Sequence, residues 1–301
     1  MSHDHSHQNS SEKNLKTAFY LNLVFSIAEL IGGMWINSVA ILADALHDFG
    51  DSISLAISWR MEHLAKKGED ATFSYGYRRF SLLSAFISAS ILIGGGVIIL
   101  SQAIPRLANP IKPDTNGMLG FAILGILING IAVLRTRAGK TMNEKMVSWH
   151  LLEDVFGWVV VLITALVIKI RPVYILDPLL SIGITIYVLI HVIKNLRSTV
   201  LLFLQSVPEK VDVKKIENAI LKEKNVKGIH HTHAWSLDGE KHVLTTHVLL
   251  EACAKKEDIR AVKSLIKGFT QEYDLAHTTI EFEYSDEDCS MTNHSADHEH
   301  V

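Results

Sequence analysis

Cysteine is scarce in this chain, with only Cys253 and Cys289 among 301 residues. Two thiols cannot build a disulfide framework, and their scarcity fits a reducing compartment. Lysine and arginine are missing altogether from Thr17–Trp59. Phe80–Pro105 and Thr115–Leu134 lack any charge or histidine, and Met146–Ile168 and Tyr174–Ile193 are nearly as clean. A bilayer core takes about 20 apolar residues per helix, and each stretch is long enough. With 48% apolar residues and a mean hydropathy of +0.22, the chain is too apolar for an ordinary soluble protein. The opening "MSHDHSHQNSSEKN" has no apolar centre, so it does not read as a cleaved secretory signal.

Thr17–Trp59 is too long for one span. Gly32-Gly33 and Asn37-Ser38 offer a tight turn, which predicts two helices, roughly 15–35 and 38–62. With the four clean stretches this makes an α-helical polytopic membrane protein of six transmembrane helices. If the N-terminus is inside, thirteen Lys and Arg fall on the inner segments and four, Arg106, Lys112, Lys169 and Arg171, on the outer loops. The asymmetry puts both termini in the cytoplasm.

From Pro208 the pattern changes. "EKVDVKKIENAILKEKN" and "KEDIRAVKSLIKGFTQEY" read as amphipathic helices. "VKGIHHTHAWSL" and "KHVLTTHVLLEA" flank Asp238-Gly239, a hairpin signal, and "HTTIEFEY" reads as a last strand. This is a C-terminal cytoplasmic α+β domain of α-β-β-α-β, ferredoxin-like order. The predicted organisation is a His-containing tail (1–14), a six-helix transmembrane domain (15–200), a cytoplasmic metal-binding and dimerisation domain (208–288) and a second His-containing tail (289–301). Both tails have the composition of disordered segments.

"ADALHDFGDS" (43–52) places three aspartates and a histidine inside a stretch suited to lipid. His47 and Asp51 share a helix face at i, i+4, and so do His150 and Asp154 in "WHLLEDVFGW". Two helices thus each offer an imidazole and a carboxylate, and the four together suit tetrahedral Zn²⁺. A charged carboxylate at bilayer depth costs at least ~2.5–3.5 kcal/mol on insertion scales, so it should face inward with a partner. Asp44 reads either as a group on the access path or as a polar contact between helices. Asp48 is expected to point elsewhere, and Glu153 is rotated about 100° from Asp154. Asn22 and Asn129 read as hydrogen-bonding contacts between helices, and Gly94–Gly96 as a place for close approach or bending.

The motifs "SVAILADALHDFGDS" and "HLLED", six spans with cytoplasmic termini and the C-terminal α-β-β-α-β domain resemble the cation diffusion facilitator family. The resemblance covers nearly the whole chain apart from its tails. It implies a homodimer in the bilayer that moves Zn²⁺ out of the cytoplasm in exchange for protons, with His47, Asp51, His150 and Asp154 as the transport site. It also implies cytoplasmic metal ligands at His230, His247 and Glu283, with Zn²⁺ as a regulatory ligand as well as cargo. Glu281 and Cys289 are further candidates there, and spacing alone does not choose among them. By simple strand alternation, His231 and His233 share one face and His230 the other. Some relatives carry another metal site after span two. Tyr77 stands at one of its positions, and neither His63 nor Asp70 replaces it, so no such site is expected.

Other classes fit less well. A membrane zinc protease needs an open coordination position and a general base, and no H-E-x-x-H motif occurs. A metal-sensing receptor would need an output signature, but the cytoplasmic domain has neither a catalytic nor a nucleic-acid-binding one. A relative with Cd, Co, Fe or Mn as its main cation stays open. The short loop between spans four and five leans bacterial, which places the protein in the plasma membrane.

Overall fold

The computed structural model describes residues 4–137 and 142–285; of their side chains, those of 4–18, 135–137, 142–147 and 150 are not described. The tail 289–301, with Cys289, lies outside the described residues. The chain forms two compact units, Met1–Met61 with Ser84–Arg197 and Glu62–Leu83 with Ser198–Val301.

Six long helices come first: α1 (Asp4–Ile36), α2 (Val39–Ala65), α3 (Phe80–Ala108), α4 (Thr115–Arg137), α5 (Met142–Ile170) and α6 (Leu176–Phe203). All but α2 contain a stretch long and apolar enough to cross a membrane. α2 has the length but carries Asp44, Asp48 and Asp51 within it. The sequence reading starts the first helix near residue 15, yet α1 begins at Asp4. No glycine or proline interrupts residues 4–31, so nothing in the tail stops the helix from extending toward its start.

Within the first unit the apolar residues are distributed as lipid demands. Only 22% to 33% of each apolar stretch is buried in protein, and large side chains such as Trp35 (85% exposed) and Trp149 (72%) point outward. In water such surface would drive aggregation; in a bilayer it is solvated. Two of the buried cores share α2. One joins Phe25, Ile41, Met118, Ala122, Trp158 and Val161 from α1, α2, α4 and α5. The other joins Val39, Ala43, Ile99 and Ala103 from α2 and α3, with Ile182 of α6 against it. Close approach needs small residues. A Cβ on Gly125 would lie 2.3 Å from the Trp158 ring, and one on Gly96 2.9 Å from Leu189. Gly94 meets nothing, so of the glycine run it is Gly96 that lets α3 and α6 close up.

The α1–α2 turn falls at Asn37, whose φ of 59° is left-handed, a conformation that asparagine tolerates. Arg106 donates to the Asn37 carbonyl (3.0 Å) and to its Oδ1 (2.8 Å). The start of α2 is capped by a distant side chain. Asp177, on α6, accepts from the Ser38 hydroxyl (2.5 Å) and from the N–H groups of Val39 (2.9 Å) and Ala40 (3.3 Å). A carboxylate there satisfies orphan donors and complements the positive end of the helix. It also ties α6 to the helix that carries the acidic stripe.

The second unit holds α7 (Val213–Ile220), β1 (Val226–Ser236), β2 (His242–Leu250), α8 (Lys256–Glu272) and β3 (Leu275–Tyr284). Asp212 caps α7 through the Lys215 N–H (2.9 Å). The sheet has the order β1-β2-β3, with β1 and β2 antiparallel and β2 and β3 parallel. Leu244, Val248 and Leu250 of β2 meet Ile216, Ile220, Val262, Ile266 and Phe269 of the two helices in one core. The alternate residues of β2, among them His247, therefore face away from the helices. The hairpin turns at Asp238-Gly239 as the sequence predicts. Gly239 has φ 96°, and Asp238 Oδ1 accepts from the N–H groups of Glu240 (2.9 Å) and Lys241 (2.7 Å).

The loop between α2 and α3 belongs to this unit. Arg78 Nη1 lies 3.0 Å from Asp238 Oδ2, and Tyr75 stacks edge-on against His277. Asp70 organises the loop itself, accepting from the Tyr77 hydroxyl (2.6 Å) and from the N–H groups of Thr72 and Phe73 (2.9 Å each). The Tyr77 hydroxyl first, then these two N–H groups, hold its carboxyl well below the usual carboxylate range.

Candidate metal centres

The cytoplasmic cluster is built across all three strands. His230 on β1 pairs with His247 on β2, and His247 in turn pairs with Glu281 on β3. Glu283, two residues along β3 and so on the same face, accepts from His247 Nδ1 at 2.7 Å and lies 3.1 Å from His230 Nε2. Glu281 stands farther off, 3.5 Å from His247 Nε2. His230, His247 and Glu283 each offer one donor atom, all within 4.8 Å of one another. His247 and Glu283 are buried and His230 half-buried. Two imidazoles and one carboxylate suit a borderline cation such as Zn²⁺. A carboxylate taken out of water between imidazoles needs a positive charge beside it, from a proton or a metal.

The strand is not regular here. Pairing shifts between His230 and His233, and His231 has φ 50°. This bulge overturns the simple alternation. His231 turns to the same side as His230, and the rings of His230, His231 and His247 form a triangle with centroids 5.2–5.3 Å apart. Partial burial, then the neighbouring His230 and His247, push the His231 ring below the ordinary imidazole value.

The membrane-type unit holds a second concentration of ligating groups. His47 Nε2 lies 3.9 Å from Asp51 Oδ2 on α2. His47 also lines a cleft with Leu92 and Gly96 of α3 and Thr185 and Leu189 of α6. On α5, Asp154 is buried. His150 lies one turn before it on the same helix, but its side chain lies outside the described residues. Asp48 is within electrostatic range of Asp154, Asp44, Glu29 and Asp51, and the Asp44 Oδ1 atom is 3.8 Å from where a Cβ on Gly157 would stand. The α2 acids and Asp154 of α5 thus share one interior region.

Asp48 is a correction to the sequence reading. It does not point elsewhere but is fully buried beside Asp44 and Glu29. The signal was present: positions 44, 47, 48 and 51 follow i, i+3, i+4, i+7, a single helical stripe. Glu29, also fully buried, was not recognised as part of any site. Its signal is a single acid within the apolar stretch Phe19–Ile36.

A helical unit with buried acids and an α+β unit with a His–Glu cluster have the make-up of a membrane cation-handling protein. The comparisons agree. The family described as "Cation efflux transmembrane domain" matches residues 15–204, and "Cation efflux protein, cytoplasmic domain" matches residues 208–285. The chain belongs to the cation efflux family, the cation diffusion facilitators of the sequence resemblance. It is 32% identical to the metal cation efflux system protein CzcD of Cupriavidus metallidurans, covering 93% of this chain and 89% of that one. It is 30% identical to the cadmium, cobalt and zinc/H(+)-K(+) antiporter of Bacillus subtilis (94% and 92% covered) and 28% identical to the zinc transporter ZitB of Escherichia coli (100% and 99%). A solved structure, the metal-bound C-terminal domain of the C. metallidurans CzcD transporter, is 33% identical over 24% of this chain and 99% of that one, with a TM-score of 0.22. The protein is a multi-pass membrane protein of a divalent-cation efflux family.

Proposed function

We propose that this protein exports Zn²⁺ from the cytoplasm across the plasma membrane by exchange for protons, as a homodimer with both termini inside. In this reading α2 is the sixth membrane span, and His47, Asp51, His150 and Asp154 carry the ion. One observation carries the reading. A His–Asp pair on α2 sits in the interior region that also buries Asp154 of α5, within a bundle whose outer surface is apolar. Fixed carboxylates at that depth stay charged only with a cation beside them, and two imidazoles with two carboxylates form a four-donor set that suits Zn²⁺. The same atoms bind protons. Metal binding requires them deprotonated, so a proton gradient drives the metal off on the acidic side and returns the protonated carrier.

His230, His247 and Glu283 hold a regulatory Zn²⁺ in the cytoplasmic domain, and the cytoplasmic domains meet in the dimer. The names of the relatives support zinc as cargo. The B. subtilis relative, named for cadmium, cobalt and zinc together, favours a second reading in which the main cation is Cd²⁺ or Co²⁺. The test is uptake of radioactive zinc into proteoliposomes with an imposed pH gradient. Zinc flux that rises with the gradient and collapses with a protonophore is the expected result. Flux indifferent to the gradient overturns the proton exchange. Flux of cadmium or cobalt far above that of zinc overturns the cargo.

A further inference from the structure

We propose that Glu29, Asp44 and Asp48 form a second divalent-cation site in the membrane-type unit, of oxygen donors only. It lies one helical turn from the His47–Asp51 pair, toward the α1–α2 turn. Glu29 comes from α1 and the two aspartates from α2, four residues apart on one face. Each offers a carboxylate oxygen, and these atoms lie within 4.8 Å of one another with all three residues buried.

The arrangement is more than a run of acids. Glu29 and Asp48 are fully buried, and none of their four carboxylate oxygens accepts a hydrogen bond among the described residues. Glu29 reaches from a different helix, and its bare oxygens meet the acids of α2. A buried polar group left without a donor is strongly disfavoured, and a buried carboxylate more so. Two such groups facing each other, with a third beside them, must either be protonated or share a positive species in their midst. Thr17–Trp59, which carries all three acids, contains no lysine or arginine to meet them.

The donor chemistry sets the class of ligand. Carboxylates without nitrogen or sulfur favour hard cations of the Mg²⁺, Ca²⁺ and Mn²⁺ type over softer ones. The His–Asp pair one turn along α2 brings nitrogen and so favours zinc. Two adjacent positions of different preference give an ion moving along α2 two successive stops, the oxygen site nearer the α1–α2 turn. Only this role as a stop rests on the transporter reading. The binding itself does not.

Mn²⁺ binding to the full-length protein in lipid nanodiscs tests it, with free Mn²⁺ read by electron paramagnetic resonance. The parent chain carries His247→Ala, Asp51→Asn and Asp154→Asn, so the other two sites are out of the count. We expect this parent to bind Mn²⁺ and Glu29→Gln to weaken the binding by about tenfold or more, since affinity at oxygen sites follows ligand charge. A parent that binds no Mn²⁺, or Glu29→Gln binding like the parent, overturns the site. If Glu29→Gln fails to give a monodisperse, cooperatively melting protein, Glu29→Asp takes its place. Keeping the charge but shortening the reach, it should bind at an intermediate strength, and parent-like binding then overturns the site. Zinc flux by the unmodified protein is a separate readout, so failure of the transport reading and failure of this site are told apart.

Discussion

The two clusters of ligating groups differ in how their charges are met. In the cytoplasmic domain one buried glutamate lies against two histidines, at 2.7 and 3.1 Å. Imidazole is donor or acceptor by turns, so that cluster can hold itself together with or without a metal. In the membrane-type unit the acids outnumber the bases on α2, and Glu29 and Asp48 accept no hydrogen bond among the described residues. A site whose carboxylate already meets an imidazole can stay folded when empty. Glu29 and Asp48 have no such partner and must be protonated or met by a cation.

The strongest way to break this contrast is to remove a ligand from the proposed transport site. Asp51→Ala or Asp154→Ala should abolish zinc flux in proteoliposomes, while the dimer and the melting temperature of the full chain stay near those of the unmodified protein. His47→Ala and His150→Ala should do the same. Near-normal flux in any two of the four sinks the assignment.

The proposed regulatory site predicts the opposite profile. Zinc at about a hundred times its dissociation constant adds about 2.7 kcal/mol to a folded form that alone binds it, visible as a higher melting temperature of the full chain. His247→Ala should remove the part of this shift that comes from the cytoplasmic cluster while leaving zinc flux measurable. Because ligating imidazoles must be unprotonated, the same part should shrink in acid. An unchanged shift in His247→Ala would leave the cluster a purely structural contact.

The smallest effect is expected where the α2–α3 loop meets the hairpin. Burial works to raise the Asp238 carboxyl, but the N–H groups of Lys241 and Glu240 and the Arg78 guanidinium outweigh it and hold it below the usual value. A depressed carboxyl stabilises the fold above its unfolded value of about 3.9, and that contribution is lost as pH falls through the folded value. The Arg78 guanidinium is half-exposed and Asp238 mostly buried, so Arg78→Ala should cost about 0.2–1 kcal/mol near neutral pH. The cost should vanish in strong acid. A loss of several kcal/mol, read by melting at both pH values, would make this contact a major tie between loop and hairpin.

Much of this protein is written locally. The charge-free runs gave the long helices, because a bilayer-facing segment must be apolar along about 20 residues. The i, i+4 spacing gave the His47–Asp51 pair, and Asp238-Gly239 gave the hairpin. His230, His247 and Glu283, drawn from family resemblance, come together across three strands. Three things were decided only by the folded chain. The bulge at His231 depends on how β1 registers against β2, and a shift of register is not encoded in strand alternation. The burial of Asp48 depends on α1 and α5 covering that side of α2, because periodicity fixes which residues share a stripe but not what lies opposite. Asp177 capping α2 joins positions far apart in sequence, and a cap supplied from another helix leaves no mark beside the helix it caps. Sequence period sets direction along one element, whereas packing between elements decides which buried charges meet.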